Sequence, residues 1–270
     1  MQDSKDLLNY AGDDQVISSF EMADKLAGQK YLFNVKSQIP TLDKLIDGFV
    51  PGELIFLSGI TKNGKTLLAQ TLTNNFYNQD VLSLWFTYEL PPKQFLDCFP
   101  KIPHLFMPTN LRAGNWQWIE DRIKESFLKH HTRVVFIDHL HYVIDMARQG
   151  NVSIEIGEVV RKLKTLAVQE ELILFVMAHT TLSRGDPFGT IRDSSFPEQE
   201  SDCTIMVKRF PEKGDNVACL RVNQSRRTGV LQKTVWVEKL GGYLVETTER
   251  DMPSERKGSR GKGSRYWEND

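Results

Sequence analysis

Short apolar runs alternate with longer amphipathic stretches between residues 36 and 248 of this chain. The leading runs are nearly continuous, as in strands that a parallel sheet buries on both faces; they cover residues 54–58, 81–87, 133–137 and 172–178. Apolar residues at helical spacing predict the helices, at 65–77, 92–99, 116–130 and 154–170. This alternation predicts an α/β fold with a doubly wound, mainly parallel sheet, whose ligands bind at the carboxyl ends of the strands.

The pattern changes after residue 200, where short strands follow one another with turns between them. Runs at 204–207, 217–222 and 234–237 predict an antiparallel extension of the sheet. We therefore expect one α/β domain over residues 36–248, preceded by a helical arm at 1–35. Residues 249–270 are basic and rich in glycine and serine, which predicts a disordered tail.

Composition narrows the class of protein. Hydrophobic residues make up 40% and charged residues 26%, and no apolar run is long enough to span a bilayer, so we expect no membrane association. The acidic N-terminus does not resemble a signal peptide, and three scattered cysteines indicate a reducing compartment. We expect a cytoplasmic protein, or one located wherever a cell or virus keeps its nucleic acid. The net charge of −1 does not by itself indicate nucleic-acid binding, but residues 256–265 carry five positive charges.

The most specific motif is a phosphate-binding loop that matches G-x-x-x-x-G-K-[ST]. It consists of Gly59, Ile60, Thr61, Lys62, Asn63, Gly64, Lys65 and Thr66. A predicted strand enters this loop and a predicted helix leaves it, so backbone N–H groups and the helix N-terminus can bind phosphates. Lys65 is predicted to contact the β- and γ-phosphates of ATP, and Thr66 to bind Mg²⁺.

Three polar residues follow other predicted strands and complete the predicted site. Asp138 is predicted to hold Mg²⁺ through water. Glu89 is placed at a strand end beside the P-loop strand, where a carboxylate can orient or deprotonate the attacking water. His179 is predicted to sense the γ-phosphate, although a histidine that caps a strand end would look the same. His139 and His141 alternate as a metal pair would, but with no third ligand in view they are interpreted as core or site lining.

The order of motifs resembles a known family. Residues 40–48 and 51–54 resemble the lead-in of RecA-like ATPases, including the RadA and KaiC branches. Residues 192–194, Glu198-Gln199, Asp202 and Arg209 are similar to the C-terminal ATPase domain of DnaB-type hexameric helicases. Residues 137–140 and 178–180 look closer to the phage primase-helicase and mitochondrial Twinkle version. The resemblance covers about residues 36–248.

This resemblance implies a homo-oligomeric ring ATPase, usually a hexamer, that moves along single-stranded DNA. An arginine from the neighbouring subunit would complete each nucleotide site; we place it on Arg226, with Arg227 as the alternative. The loops that grip DNA correspond to residues 145–152, with Arg148, and 181–195, with Arg184 and Arg192. Arg192 is alternatively structural. A replication partner such as a primase is a further expectation.

The chain also departs from this family. Only about 35 residues precede the ATPase segment in this sequence, so we expect no primase or scaffold domain there. Gln224 replaces a basic residue before the arginine finger, and Thr61-Lys62 stand where proline or glycine is common. Two alternatives to a helicase or translocase therefore remain open. One is a RecA/RadA/KaiC-type ATPase in recombination or regulation, without unwinding. The other is a non-motor accessory subunit of replication that binds nucleotide and DNA.

Overall fold

The computed structural model describes residues 8–12, 14–28, 33–144, 152–183, 186–191 and 196–248. Contacts divide the chain into two compact units, residues 1–33 and 34–270. The helices of the described residues are α1 (Ser19–Leu26), α2 (Pro40–Ile46), α3 (Lys65–Tyr77), α4 (Pro92–Asp97), α5 (Trp116–His130), α6 (Val152–Gln169) and α7 (Phe196–Glu200).

The second unit is built around one sheet. Its described strands are β1 (Leu54–Gly59), β2 (Ser83–Thr87), β3 (Leu105–Phe106), β4 (Val134–Asp138), β5 (Ile173–Ser183), β6 (Asp186–Ile191), β7 (Cys203–Arg209), β8 (Val217–Ser225), β9 (Leu231–Leu240) and β10 (Tyr243–Glu246). The order is β10-β9-β8-β7-β1-β5-β4-β2-β3, and β6 pairs with β5 outside this path. The strands from β7 to β3 are parallel, while β8, β9 and β10 extend the sheet antiparallel. The predicted fold class is confirmed.

The central strands are apolar because both faces of the sheet are covered. Every residue of β1, β2 and β4 is buried. On one face, Phe76 of α3 packs against Phe136 and Phe175 with ring centroids 6.3 and 5.8 Å apart. On the other face, residues of α5 and α6 such as Ile119 and Leu163 join the core. This burial is the physical basis of the continuous apolar runs in the sequence.

The structure differs from the predicted strand arrangement in two places. Strand β2 does not lie beside the P-loop strand, because β5 and β4 lie between them, so the predicted neighbourhood of Glu89 is wrong. Strand β5 continues past residue 178 to Ser183 and pairs antiparallel with β6. Residues 181–183 and 186–191 of the predicted loop 181–195 therefore belong to paired strands, and the loop prediction was wrong there because this pairing is not visible as an apolar run.

The first unit contains α1, which begins after Ser18. The Ser18 hydroxyl accepts a hydrogen bond from the Glu21 backbone, and the Glu21 carboxylate accepts one from the Ser18 backbone, at 3.1 and 2.8 Å. Such a reciprocal cap stabilises the first turn of a helix. Among the helices that the structure describes, none has the length and apolar character needed to cross a bilayer.

Candidate nucleotide site

The P-loop joins the end of β1 to the start of α3 and requires glycine at two positions. Gly64 precedes the helix with φ 99°, a conformation that other residues rarely adopt. A Cβ atom on Gly59 would collide with the carbonyl oxygen of Val207 on the neighbouring strand β7. The two glycines therefore let the backbone pass close to β7 and turn sharply into α3, which leaves the helix N-terminus open to an anion.

Lys65 is only 5% exposed and lies over the loop. Its Nζ donates to the carbonyl oxygens of Gly59 and Ile60 at 2.9 and 3.3 Å, and lies 3.1 Å from His179 Nδ1. Burial lowers the pKa of Lys65, while the nearby Glu89 and Asp138 carboxylates oppose this shift. The ammonium group is thus held by weak acceptors at the place where a phosphate would be a stronger partner.

Thr66 and Asp138 meet from different elements, as expected for a Mg²⁺ site. The Thr66 hydroxyl donates to Asp138 Oδ2 at 3.1 Å. Asp138 is 3% exposed, and its Oδ1 has no hydrogen-bond partner. Burial raises the pKa of Asp138 to about 7, helped by the Glu89 charge and opposed by the Thr66 hydrogen bond and by Lys65. A hydroxyl and a carboxylate with a free buried oxygen fit a hard divalent cation such as Mg²⁺.

Replacing Asp138 by asparagine should stabilise the nucleotide-free protein at pH 8 and much less at pH 4. An aspartate pKa raised from 3.8 to about 7 by folding means that folding favours the protonated acid. Its stabilising effect is present below pH 4 and is lost as the pH rises to about 7. Asparagine stays neutral and can still accept from Thr66, so we expect a gain of roughly 2–4 kcal/mol in the free energy of unfolding at pH 8. Urea unfolding in the presence of a chelator, at both pH values, measures this gain. Equal free energies of unfolding for the variant and the unchanged chain at pH 8 would contradict a buried charge on Asp138.

Glu89 reaches the P-loop although its strand is distant in the sheet. After β2, the backbone N–H of Tyr88 donates to the carbonyl oxygen of Asp138 at 2.8 Å, and the ring of Tyr88 stacks on Tyr142. These contacts hold the chain after β2 so that Glu89 extends across β4 toward β5. Glu89 Oε1 lies 3.0 Å from His179 Nε2, so Lys65, His179 and Glu89 form one hydrogen-bonded chain.

His179 lies opposite Gly59 in the parallel register of β5 and β1. Burial and the Lys65 charge lower the pKa of His179, and contact with Glu89 opposes this shift. The imidazole therefore favours its neutral form, with Nδ1 accepting from Lys65 and Nε2 donating to Glu89. This arrangement links the P-loop lysine to the carboxylate, and the role of His179 as a γ-phosphate sensor remains a prediction.

Arg226 and Arg227 lie level with the start of β1, at the opposite end of the parallel strands from the P-loop. They follow β8, whose last residue Ser225 pairs with Cys203, and Cys203 pairs with Ile55 near the start of β1. The P-loop lies at the opposite end of β1, roughly 13 Å further along the strand. Neither arginine can therefore complete the nucleotide site of its own chain.

The two arginines differ in their surroundings. Arg226 is exposed, and its guanidinium contacts the carbonyl oxygen of Gln199. Arg227 is held within the chain, because it donates to Glu53 Oε1 at 2.9 Å and to the carbonyl oxygens of Ile46 and Gly48 at 2.8 and 2.7 Å. Its assignment to the nucleotide remains a prediction, and so does that of Arg226.

A pocket of about 220 Å³ lies directly beside the P-loop. Lys62, Asn63 and Gly64 line one side, and the strand residues Val207 and Arg209 line the other. Asn63 Oδ1 accepts from the Arg209 backbone at 2.9 Å, which ties the loop to β7. Sequence patterns gave no sign of this pocket, because its two walls are far apart along the chain.

The three predicted DNA-contacting residues lie outside the described residues. Arg148 falls in 145–151, Arg184 in 184–185 and Arg192 in 192–195. Strands β5 and β6 bracket the second of these segments, and α6 begins directly after the first. The assignments of Arg148, Arg184 and Arg192 to DNA therefore stay predictions.

The parallel sheet, the P-loop and the carboxylates at the strand ends define a RecA-like P-loop ATPase fold. Two solved structures have a similar fold. The structure of the ATPase domain of G40P matches with a TM-score of 0.70 and 15% identity, over 85% of this chain and 97% of that chain. A DnaB-like replicative helicase, studied with its primase interactions, matches with a TM-score of 0.70 and 16% identity, over 88% of this chain and 69% of that chain. These likenesses show the fold.

Sequence comparison points to the same group of proteins. The chain is 23% identical over 243 residues to the replicative DNA helicase DnaB of Pasteurella multocida (strain Pm70), covering 75% of this chain and 52% of that protein. It is 23% identical over 228 residues to DnaB of Rickettsia conorii (strain ATCC VR-613 / Malish 7), covering 66% of this chain and 46% of that protein. The chain thus spans about half the length of these curated relatives. No protein-family model matches it. The recognised resemblance to the DnaB-like ATPase domain is confirmed.

Proposed function

We propose that this chain is the motor domain of a DnaB-type ring helicase or translocase, which couples ATP hydrolysis between subunits to movement on single-stranded DNA. The observation that carries the proposal is the chain of contacts from Lys65 through His179 to Glu89, at 3.1 and 3.0 Å. It brings a phosphate-binding lysine, a sensor and a carboxylate base together across four strands. The names of its relatives favour this branch over a RecA, RadA or KaiC type.

The residues present fit ATP with Mg²⁺, which when bound would supply the phosphoryl group and the charge that polarises it. Lys65 would exchange its backbone acceptors for β- and γ-phosphate oxygens. Thr66 and the unpartnered Oδ1 of Asp138 would hold the ion, directly and through water. Glu89 would orient a water molecule and accept its proton, while His179 would hold Glu89 in place.

The pocket beside the P-loop is the proposed site of the nucleobase. Its wall contains both apolar Val207 and the Arg209 backbone, and it adjoins the start of α3 where the phosphates would bind. Arg209 Nη2 donates to the carbonyl oxygen of Asp215 at 2.8 Å, which fixes the arginine along the pocket rim. A planar arginine in this position can stack on a base.

The position of Arg226 supports the proposed ring, because this residue lies near the start of β1, away from the P-loop of its own chain. A neighbouring copy could present Arg226 to the γ-phosphate across a subunit interface. The segments that carry Arg148, Arg184 and Arg192 are the proposed DNA contacts, and a primase is the proposed replication partner.

Three measurements test the function. ATP turnover with and without single-stranded DNA, unwinding of a forked duplex, and native mass with a non-hydrolysable ATP analogue should all be positive. DNA-stimulated turnover with no unwinding in an assembled ring would support the RecA-type alternative. Nucleotide and DNA binding without turnover would support the accessory subunit, and absence of nucleotide binding would contradict the P-loop assignment.

Replacing Glu89 by glutamine should stop hydrolysis while nucleotide binding persists. Glutamine can still accept from His179 Nε2 through its amide oxygen, so the site should keep its shape, but an amide cannot take a proton from water. We expect turnover to fall roughly 10²-fold or more, with an unchanged Kd for the ATP analogue. Glu212→Gln, at an exposed position, is the matched control; similar losses in both variants would argue against Glu89 as the base.

A further inference from the structure

Glu89, His139 and His179 converge beside the P-loop, although Glu89 and His139 follow β2 and β4 and His179 lies within β5. Their ligand atoms all lie within 4.8 Å of one another. Glu89 Oε1 is 3.0 Å from His179 Nε2 and 4.0 Å from His139 Nδ1. Within the part of the chain that the structure describes, this is the one three-residue group with such spacing.

His139 is the unexplained member of this group. It is 5% exposed, and neither ring nitrogen has a hydrogen-bond partner. Its ring instead packs against those of His179 and His141, with centroids 4.1 and 4.9 Å apart. A buried imidazole without a partner costs free energy, so its presence beside a carboxylate and a second imidazole calls for a ligand.

We propose that Glu89, His139 and His179 bind a divalent transition-metal ion of the zinc class, and that this ion inhibits the proposed ATPase by holding Glu89. Two imidazoles and one carboxylate form a common set of zinc ligands. Bonds of about 2.0–2.1 Å in a tetrahedron place ligand atoms roughly 3.4 Å apart, between the 3.0 and 4.0 Å observed here. Water would fill the fourth position.

The charge state of the histidines suits a metal. Burial lowers the pKa of His139 to about 3, with the nearby His179 and His141 adding to the effect. Burial also lowers the pKa of His179. Both rings are therefore neutral near pH 7, which is the form that ligates a metal.

This site is distinct in chemistry from the proposed Mg²⁺ site. Mg²⁺ prefers oxygen ligands, which Thr66 and Asp138 supply, whereas imidazole nitrogen selects zinc and related ions. Excess Mg²⁺ should therefore compete poorly for the two histidines.

Metal binding requires one local change. Lys65 donates to His179 Nδ1, so the ring proton now lies on Nε2. An ion on Nε2 needs that proton on Nδ1 instead, and the ring remains neutral overall. Lys65 must then leave Nδ1, but it keeps the carbonyl oxygens of Gly59 and Ile60. Inhibition rests on the proposed function, because Glu89 bound to the ion can no longer accept a proton from water.

The binding test uses the full chain without nucleotide or DNA. Co²⁺ is titrated and its visible absorption followed, then Zn²⁺ is added to displace it, and calorimetry gives the stoichiometry. We expect one ion per chain with tetrahedral-type absorption. His139→Ala and Glu89→Gln should each weaken binding at least roughly tenfold. His104→Ala, which removes an exposed histidine, should bind like the unchanged chain.

Circular dichroism melting checks that each variant folds, and Glu89→Gln carries the test if His139→Ala does not fold. Absence of bound Co²⁺ and Zn²⁺, equal affinity in the ligand variants, or loss of binding in His104→Ala would overturn the site.

In excess Mg²⁺, Zn²⁺ should lower the ATPase rate of the unchanged chain, while His139→Ala should keep a larger fraction of its own zinc-free rate. A chain that binds zinc but hydrolyses no ATP contradicts only the proposed function. A zinc-insensitive ATPase contradicts only this inference.

Discussion

Arg226→Ala should reduce ATP turnover by about 10³–10⁵-fold in the assembled protein, the range observed when an arginine finger is lost. The guanidinium is exposed and lies at the end of the parallel strands opposite the P-loop of the same chain. In the proposed ring, its charge would act on a nucleotide held by a neighbour. Nucleotide binding by isolated subunits should be unchanged, since Arg226 does not contact their own P-loop.

Arg227→Ala is the matched control, because it removes an adjacent arginine with a different environment. Arg227 pairs with Glu53, whose side chain is only 11% exposed. Its loss should lower the free energy of unfolding of the single chain, roughly by 2–4 kcal/mol, since Glu53 is left unpaired. Steady-state turnover and urea unfolding separate the two effects. If Arg226→Ala lowered the free energy of unfolding as much as Arg227→Ala, this would contradict the proposed role of Arg226 as an arginine finger.

Lys65→Ala should lower turnover roughly 10³-fold or more and weaken binding of the ATP analogue. The buried ammonium group donates to the P-loop carbonyl oxygens of Gly59 and Ile60 and is linked to His179. Lys65→Arg should not restore activity, because the planar guanidinium is larger and does not fit a buried site shaped for an ammonium group. Lys93→Ala, on the exposed face of α4, is the control. Retained turnover in Lys65→Ala would contradict the P-loop assignment.

Mixing the two inactive proteins tests the shared site directly. Lys65→Ala subunits keep Arg226, and Arg226→Ala subunits keep an intact P-loop. In randomly mixed rings, about a quarter of the interfaces would combine both intact partners. We expect turnover to reappear on mixing. Its absence from rings shown by native mass to contain both subunits would contradict a site completed by the neighbour.

Residues close together in the sequence were enough to predict the helices. Helices α3 and α5 have the predicted bounds, 65–77 and 116–130, because residues next to them in sequence set their ends. Gly64 precedes α3 in a left-handed conformation, and the Asn115 side chain accepts from the Trp118 backbone at the start of α5. Strand β5 was predicted too short, because its continuation is polar and pairs with β6, which does not show as an apolar run.

The sequence predicted which residues form the candidate site, but not how the strands that carry them are arranged. Lys65, Thr66 and Asp138 meet as their motifs imply, and Glu89 reaches His179. However, Glu89 does so from a strand two places further from β1 than predicted. The order of strands in a sheet depends on how helices and strand faces pack, and no single motif contains that information.

The sequence by itself therefore determined the phosphate loop, the carboxylates at strand ends and the alternation that produces a parallel sheet. Each of these depends on residues that are close along the chain. Only the tertiary structure decided that Glu89 and His179 surround His139, and that Arg226 and Arg227 lie at the end of the parallel strands away from the P-loop. These relations join residues that are far apart in sequence, and they depend on strand order and direction, which the packing of the whole sheet sets.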